Sequence, residues 1–123
     1  MRGGEAIPYF EKAIQLSPYD PQRWAFLSYR ALAHVLAGEF GHAVEWAQKA
    51  IRIPNCHFWP FAHRVSALGH LHQTEELPGV IAELLQRKPE FSCSLARDRL
   101  FYLKNPEHLD RYLQGLRSAG IKE

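Results

Sequence analysis

The sequence predicts an all-α fold, an α-α superhelix of helical hairpins stacked side by side. Three observations predict it. Five columns recur at fixed spacing: Ala6, Phe10, Ala13, Ile14 and Pro18 return as Ala43, Ala47, Ala50, Ile51 and Asn55, then as Leu77, Ile81, Leu84, Leu85 and Pro89. The offsets are 37 and then 34 residues, and a constant period of that length marks a hairpin array. Between the columns, apolar residues fall at helical spacing, and no stretch alternates as a strand does. Proline and glycine sit at the joints between the periodic stretches. One hairpin cannot bury its apolar face alone, so an array folds by stacking and presents surfaces.

Residues 4–17 form the first expected helix, with Ile7, Phe10, Ala13 and Ile14 on one face and Ala6 beside them. Pro18 and Pro21 stop it. Asp20 is the expected N-cap of the next helix, with Pro21 at its first position. That helix covers 21–37 on a stripe of Trp24, Leu27, Ala31 and Val35, widened by Leu32 and Leu36. Gly38 follows as a C′ glycine. Residues 39–53 turn Phe40, Ala43, Val44, Ala47, Ala50 and Ile51 inward, and Pro54 ends the pass.

The next pair is rougher. Residues 58–73 carry Phe61, Val65, Leu68 and Leu71, with Pro60 in the first turn. Gly69 costs this helix ~1 kcal/mol of propensity relative to alanine. Residues 76–88 carry Leu77, Ile81, Leu84 and Leu85, and Pro78 and Gly79 are tolerated because they lie in the first turn. A shorter, less periodic helix is expected over 93–103. The last covers 106–118, with Asn105 as cap, Pro106 opening it, Glu107 at the positive dipole end and Gly120 closing it. Its inward face is Leu109, Tyr112, Leu113 and Leu116.

The 123 residues suffice for one domain with a modest core. Hydrophobic residues make up 46% of the chain, too many for a disordered one. Lys plus Arg number 15 against 13 Asp plus Glu, a balance that argues against nucleic acid or an anionic membrane as the partner. No apolar run approaches the ~20 residues of a membrane helix. The opening Met-Arg-Gly-Gly-Glu-Ala lacks an apolar leader region, so a cytoplasmic protein is expected. Cys56 and Cys93 fit no metal-ligand spacing. They are expected to be reduced thiols, with a single disulfide left open.

The columns Ala6-x3-Phe10-x2-Ala13-x4-Pro18, and the set Trp24, Leu27, Gly38, Phe40, Ala43, Ala47 and Ala50, resemble the tetratricopeptide (TPR) repeat. The 34-residue offset matches that family's repeat length, and the 37-residue offset departs from it by three residues. Leu77, Ile81 and His72 also depart from the family's small, aromatic and glycine positions. The resemblance divides a single domain, 1–123, into a partial repeat (4–18), a repeat (21–54), a divergent repeat (58–89) and C-terminal capping helices (91–120). Residues 24–34, 43–51 and 109–120 look in addition like the C-terminal TPR tail of bacterial adenylate/guanylate cyclases and winged-helix transcriptional regulators. No cyclase metal site or helix-turn-helix motif is present, so neither activity carries over.

The resemblance implies a concave face lined by exposed positions of the first helix of each hairpin. These are Gln22, Ala25, Tyr29 and Ala33, then Trp59, Ala62, Ser66 and His70. Two aromatics and few charges give a mildly apolar groove suited to a helix or an extended peptide. The family's grip on a terminal carboxylate needs lysine and asparagine where this chain has Ala25 and Tyr29, then Ala62 and Ser66, so that mode is not expected. The helix over 4–17 is of the second type within a hairpin, which leaves Ile7, Phe10 and Ile14 available for self-association.

Chemistry is poorly signalled. His70 and His72 point to different faces of a helix. His63 and His70 share a face, but no third ligand completes a metal set. Cys56 and His57 are adjacent without an orienting third group. Arg97, Arg99, Lys104 and Arg111 form a loose basic area without a Gly-rich loop. Trp24 and Trp46 sit at core spacing. The expectation is a non-catalytic protein-interaction module with no cofactor or metal, binding protein or peptide and self-associating. The alternative is a regulatory sensor tail that binds a small molecule or peptide between repeats.

Overall fold

The computed structural model describes residues 23–53, 56–72 and 75–123, and among them six helices and no strand occur. They are α1 (Arg23–Leu36), α2 (Phe40–Ile51), α3 (Trp59–Leu71), α4 (Leu77–Arg87), α5 (Cys93–Arg99) and α6 (Pro106–Ala119). The expected helix over 4–17, the Asp20–Pro21 cap, Gln22 and Pro54 lie outside the described residues. The all-α expectation holds for the rest.

Consecutive helices fold back on one another. α1 packs on α2, α2 on α3, and α3 on α4. Gly38 makes the first reversal, at φ +82°, a conformation that costs other residues a Cβ clash. It leaves the N–H of Glu39 bonded to the carbonyl of His34 at 2.8 Å. The small-residue column of α2, Ala43, Ala47 and Ala50, is fully buried. Side chains of one carbon let the neighbouring helices approach closely there. The main apolar cluster runs from Leu32 and Val35 of α1 through Phe61, Val65 and Leu68 of α3 to Leu84 of α4 and Tyr112, Leu113 and Leu116 of α6.

Helix ends follow their capping residues. Ser92 accepts the Leu95 N–H at 3.1 Å to start α5, and Asn105 accepts the Glu107 N–H at 2.9 Å to start α6. Gly120 ends α6 at φ +96°. His72 ends α3 in the left-handed region at φ +56°, the role a glycine takes more cheaply. α5 stops at Arg99, four residues short of the expected 103. Leu100 turns into the core, almost fully buried, while Phe101 swings out to 81% exposure. The Leu103 N–H then closes a turn on the Leu100 carbonyl at 3.0 Å.

The C-terminal helix decides the shape of the inner face. α6 lies across α3, and also touches α1 and α5. Ser66 donates to the Tyr112 carbonyl at 2.8 Å, and the His70 Nε2–H donates to the Arg111 carbonyl at 2.6 Å. Arg111 reaches the Leu36 carbonyl, tying α6 to the end of α1. The crossing point is glycine against glycine. A Cβ on Gly69 would stand 2.9 Å from the Gly115 carbonyl carbon, and nearer still to its oxygen. The residue that weakens α3 in isolation is what lets α6 seat on it.

Candidate functional site

A two-chambered cleft runs between α1 and the segment that joins α5 to α6. The larger chamber, about 470 Å³, has Leu32, Ala33 and Leu36 of α1 on one side and Tyr102, Leu103 and Lys104 on the other. The smaller, about 260 Å³, lies between α1 and α3 and is bounded by Trp24, Tyr29, Trp59, His63, Arg99 and Tyr102. Tyr29 and Tyr102 belong to both chambers and form the partition. Both tyrosines are about half exposed. Helical geometry sets the α1 wall. Ala25, Tyr29, Ala33 and Leu36 are spaced by three and four residues, so they stack on one face.

The sequence-predicted residues divide. Tyr29 and Ala33 line the larger chamber, and Tyr29 and Trp59 the smaller. Ala62 and Ser66 line neither chamber, because both are completely buried, Ser66 against α6. His70 is half-buried, bonded to α6 and stacked on Phe40 with ring centroids 4.1 Å apart. These three are corrected from groove contacts to packing contacts. The physical reason is that the chain supplies its own helix to that face. Gln22 and the self-association residues Ile7, Phe10 and Ile14 lie outside the described residues. The sequence reading missed Tyr102, Leu103, Arg99 and His63 as cleft residues. The adjacent aromatics Phe101 and Tyr102, in the least periodic stretch of the chain, were the available signal.

His63 is the most perturbed group at the cleft. It is 97% buried, and burial alone pulls its imidazole down to a pKa of about 3, so it is neutral at ordinary pH. Its Nδ1 lies 2.9 Å from the Tyr112 hydroxyl. Tyr112 is itself fully buried, and burial raises its phenol well above the usual range. Nδ1 is the acceptor within reach of the phenol O–H, and with the phenol as donor the imidazole proton sits on Nε2. Nε2 has no partner among the described residues. Trp59 stacks on the His63 ring at 5.8 Å and 19°, and His57 stacks on Trp24 at 5.9 Å and 10°.

Among the described residues the permanently charged side chains at the cleft, Arg99 and Lys104, are both basic. Arg99 edges the smaller chamber, and Lys104 and His108 the larger, while no carboxylate among the described residues lines either. The other members of the expected basic area disperse. Arg111 is committed to α1, and Arg97 lies near Glu123.

Elsewhere the chemistry is structural. Among the described residues no group of three metal-ligating side chains occurs. Cys56 and Cys93 are free and buried, and burial raises both thiols, which removes thiolate character. Cys56 bonds the Ile51 carbonyl, not His57. Trp46 is covered by the Arg30 guanidinium at 3.5 Å and the Lys49 ammonium at 3.9 Å, a cation–π stack; it is half-buried and, unlike Trp24, stands apart from the main apolar cluster. Among the described residues no helix is long and apolar enough to cross a membrane. Compared with family models, with curated proteins and with solved structures, the chain finds no significant match.

Proposed function

We propose that the chain is a non-catalytic interaction module, a TPR-like scaffold of stacked helical hairpins that associates with a second copy of itself. The apolar strip of residues 4–17, Ile7, Phe10 and Ile14, meets the aromatic edge of the cleft on its partner. The observation that carries this is the exposed edge itself. Phe101 is 81% exposed, with Tyr102 and Tyr29 half exposed beside it. Large aromatics clustered on a surface cost solvation free energy that burial against a partner recovers, at roughly 25 cal/mol per Å². The successive packing of α1 to α4 and the closed alanine column of α2 support the hairpin-array reading.

Sedimentation equilibrium over a concentration series tests the proposal. The expected result is a mass that rises with concentration. Phe101→Glu and Ile14→Glu should each return it to the monomer value. A monomer mass at every concentration overturns the reading. A second reading, a regulatory module that takes a small molecule between its helices, is favoured by one specific feature: the aromatic chamber that ends on the buried His63.

A further inference from the structure

We propose that the smaller chamber is a binding site for a small aromatic carboxylate. The inference rests on the second reading above, binding between helices, and shares Tyr29 and Tyr102 with the edge proposed for self-association. Its walls are Trp24 and Trp59 with Tyr29 and Tyr102, four rings around about 260 Å³, a volume that takes a ligand of one or two fused rings. Flat aromatic walls favour a flat ligand by offset stacking and edge contacts.

The polar groups choose the charge. An aromatic cage without a cation would suit a quaternary ammonium. Here Arg99 stands at the edge, forms no ion pair among the described residues, and repels a cation. No carboxylate among the described residues lines the chamber to compete for the guanidinium. A ligand carboxylate completes the site. It accepts from the Arg99 fork and from the His63 Nε2–H, whose ring bonds Tyr112 only through Nδ1. The Tyr112 hydroxyl fixes that tautomer from the far side of the ring, as an outer hydrogen bond fixes a ligating imidazole. Arg99 and Tyr102 come from the end of α5 and the turn after it, while Trp59 and His63 come from α3. The site therefore exists only once the C-terminal segment has docked.

Isothermal titration calorimetry with indole-3-acetate, benzoate and 2-naphthoate tests the proposal, alongside indole-3-acetamide and tryptamine as the neutral and cationic counterparts. At least one acid should bind, the amide should bind about tenfold more weakly than its acid, and the amine should not bind. Arg99→Gln, a surface change remote from the core, should weaken the acid about tenfold and leave the amide unaffected, and Arg99→Lys should recover part of the loss. Tighter binding of amine than acid, or an Arg99→Gln variant with unchanged acid affinity, overturns the carboxylate assignment while leaving a small-molecule site standing. No binding by any of the five compounds overturns both. Light-scattering mass on the same samples reports self-association separately.

Discussion

Gly115→Ala separates the crossing of α3 and α6 from ordinary helix propensity. In an isolated helix the change stabilises by ~1 kcal/mol. In this fold the new Cβ would sit 2.6 Å from the Ser66 hydroxyl and 2.7 Å from His70 Cδ2, and would overlap the Ser66 carbonyl oxygen. Ordinary contact begins near 3.4 Å, so the helices must part by roughly 1 Å, and overpacking of this kind costs about 1–3 kcal/mol. Parting also stretches the Ser66 to Tyr112 and His63 to Tyr112 hydrogen bonds. Each of these is buried and carries about 1 kcal/mol net, more if a group is left unpaired. The net expectation is a loss of about 3 kcal/mol, which lowers the melting temperature by about 12 °C in a domain of this size. Gly41→Ala is the control, because nothing lies within 4 Å of its added Cβ. It should leave stability unchanged or raise it by up to ~1 kcal/mol. Urea denaturation followed by circular dichroism reads both variants. If Gly115→Ala matched or exceeded the parent, as the control should, the close crossing would be wrong.

Two further outcomes follow from the same packing. His63 is neutral in the folded chain down to about pH 3, whereas in the unfolded chain it takes up a proton near the ordinary imidazole value of 6.5. The unfolded state therefore binds more protons between these values, and stability falls as pH drops through that window. By pH 5 His63 alone removes about 2 kcal/mol, with His34 and His57, both also lowered by burial, acting in the same direction. Denaturation midpoints measured from pH 7 to pH 4 should show this acid limb, and His63→Gln should flatten it; an equally steep limb in the variant would contradict the assignment. Ala47→Trp should destabilise by about 3 kcal/mol or more, because a fully buried alanine between helices has no room for an indole. A native melting temperature in that variant would mean that the repeat register is misplaced.

The sequence alone determined the helices from 23 onward, their order and nearly all their ends. Periodicity, the Asn105–Pro106 start and the Gly38 and Gly120 stops are local properties, fixed by backbone dihedrals and by hydrogen bonds a few residues apart. It also placed Tyr29, Ala33 and Trp59 on the inner face, since a helical period says which residues share a side. Only the tertiary structure decided what that side meets. Ser66 and His70 bind carbonyls of α6 more than 40 residues away, and Gly69 exchanges propensity for a close approach to Gly115. The cleft, too, needs α1 and α3 brought against the turn at 100–105. No local rule reaches that far. The free energy of such contacts depends on the shapes of two surfaces at once, and each stretch of sequence encodes only one of them.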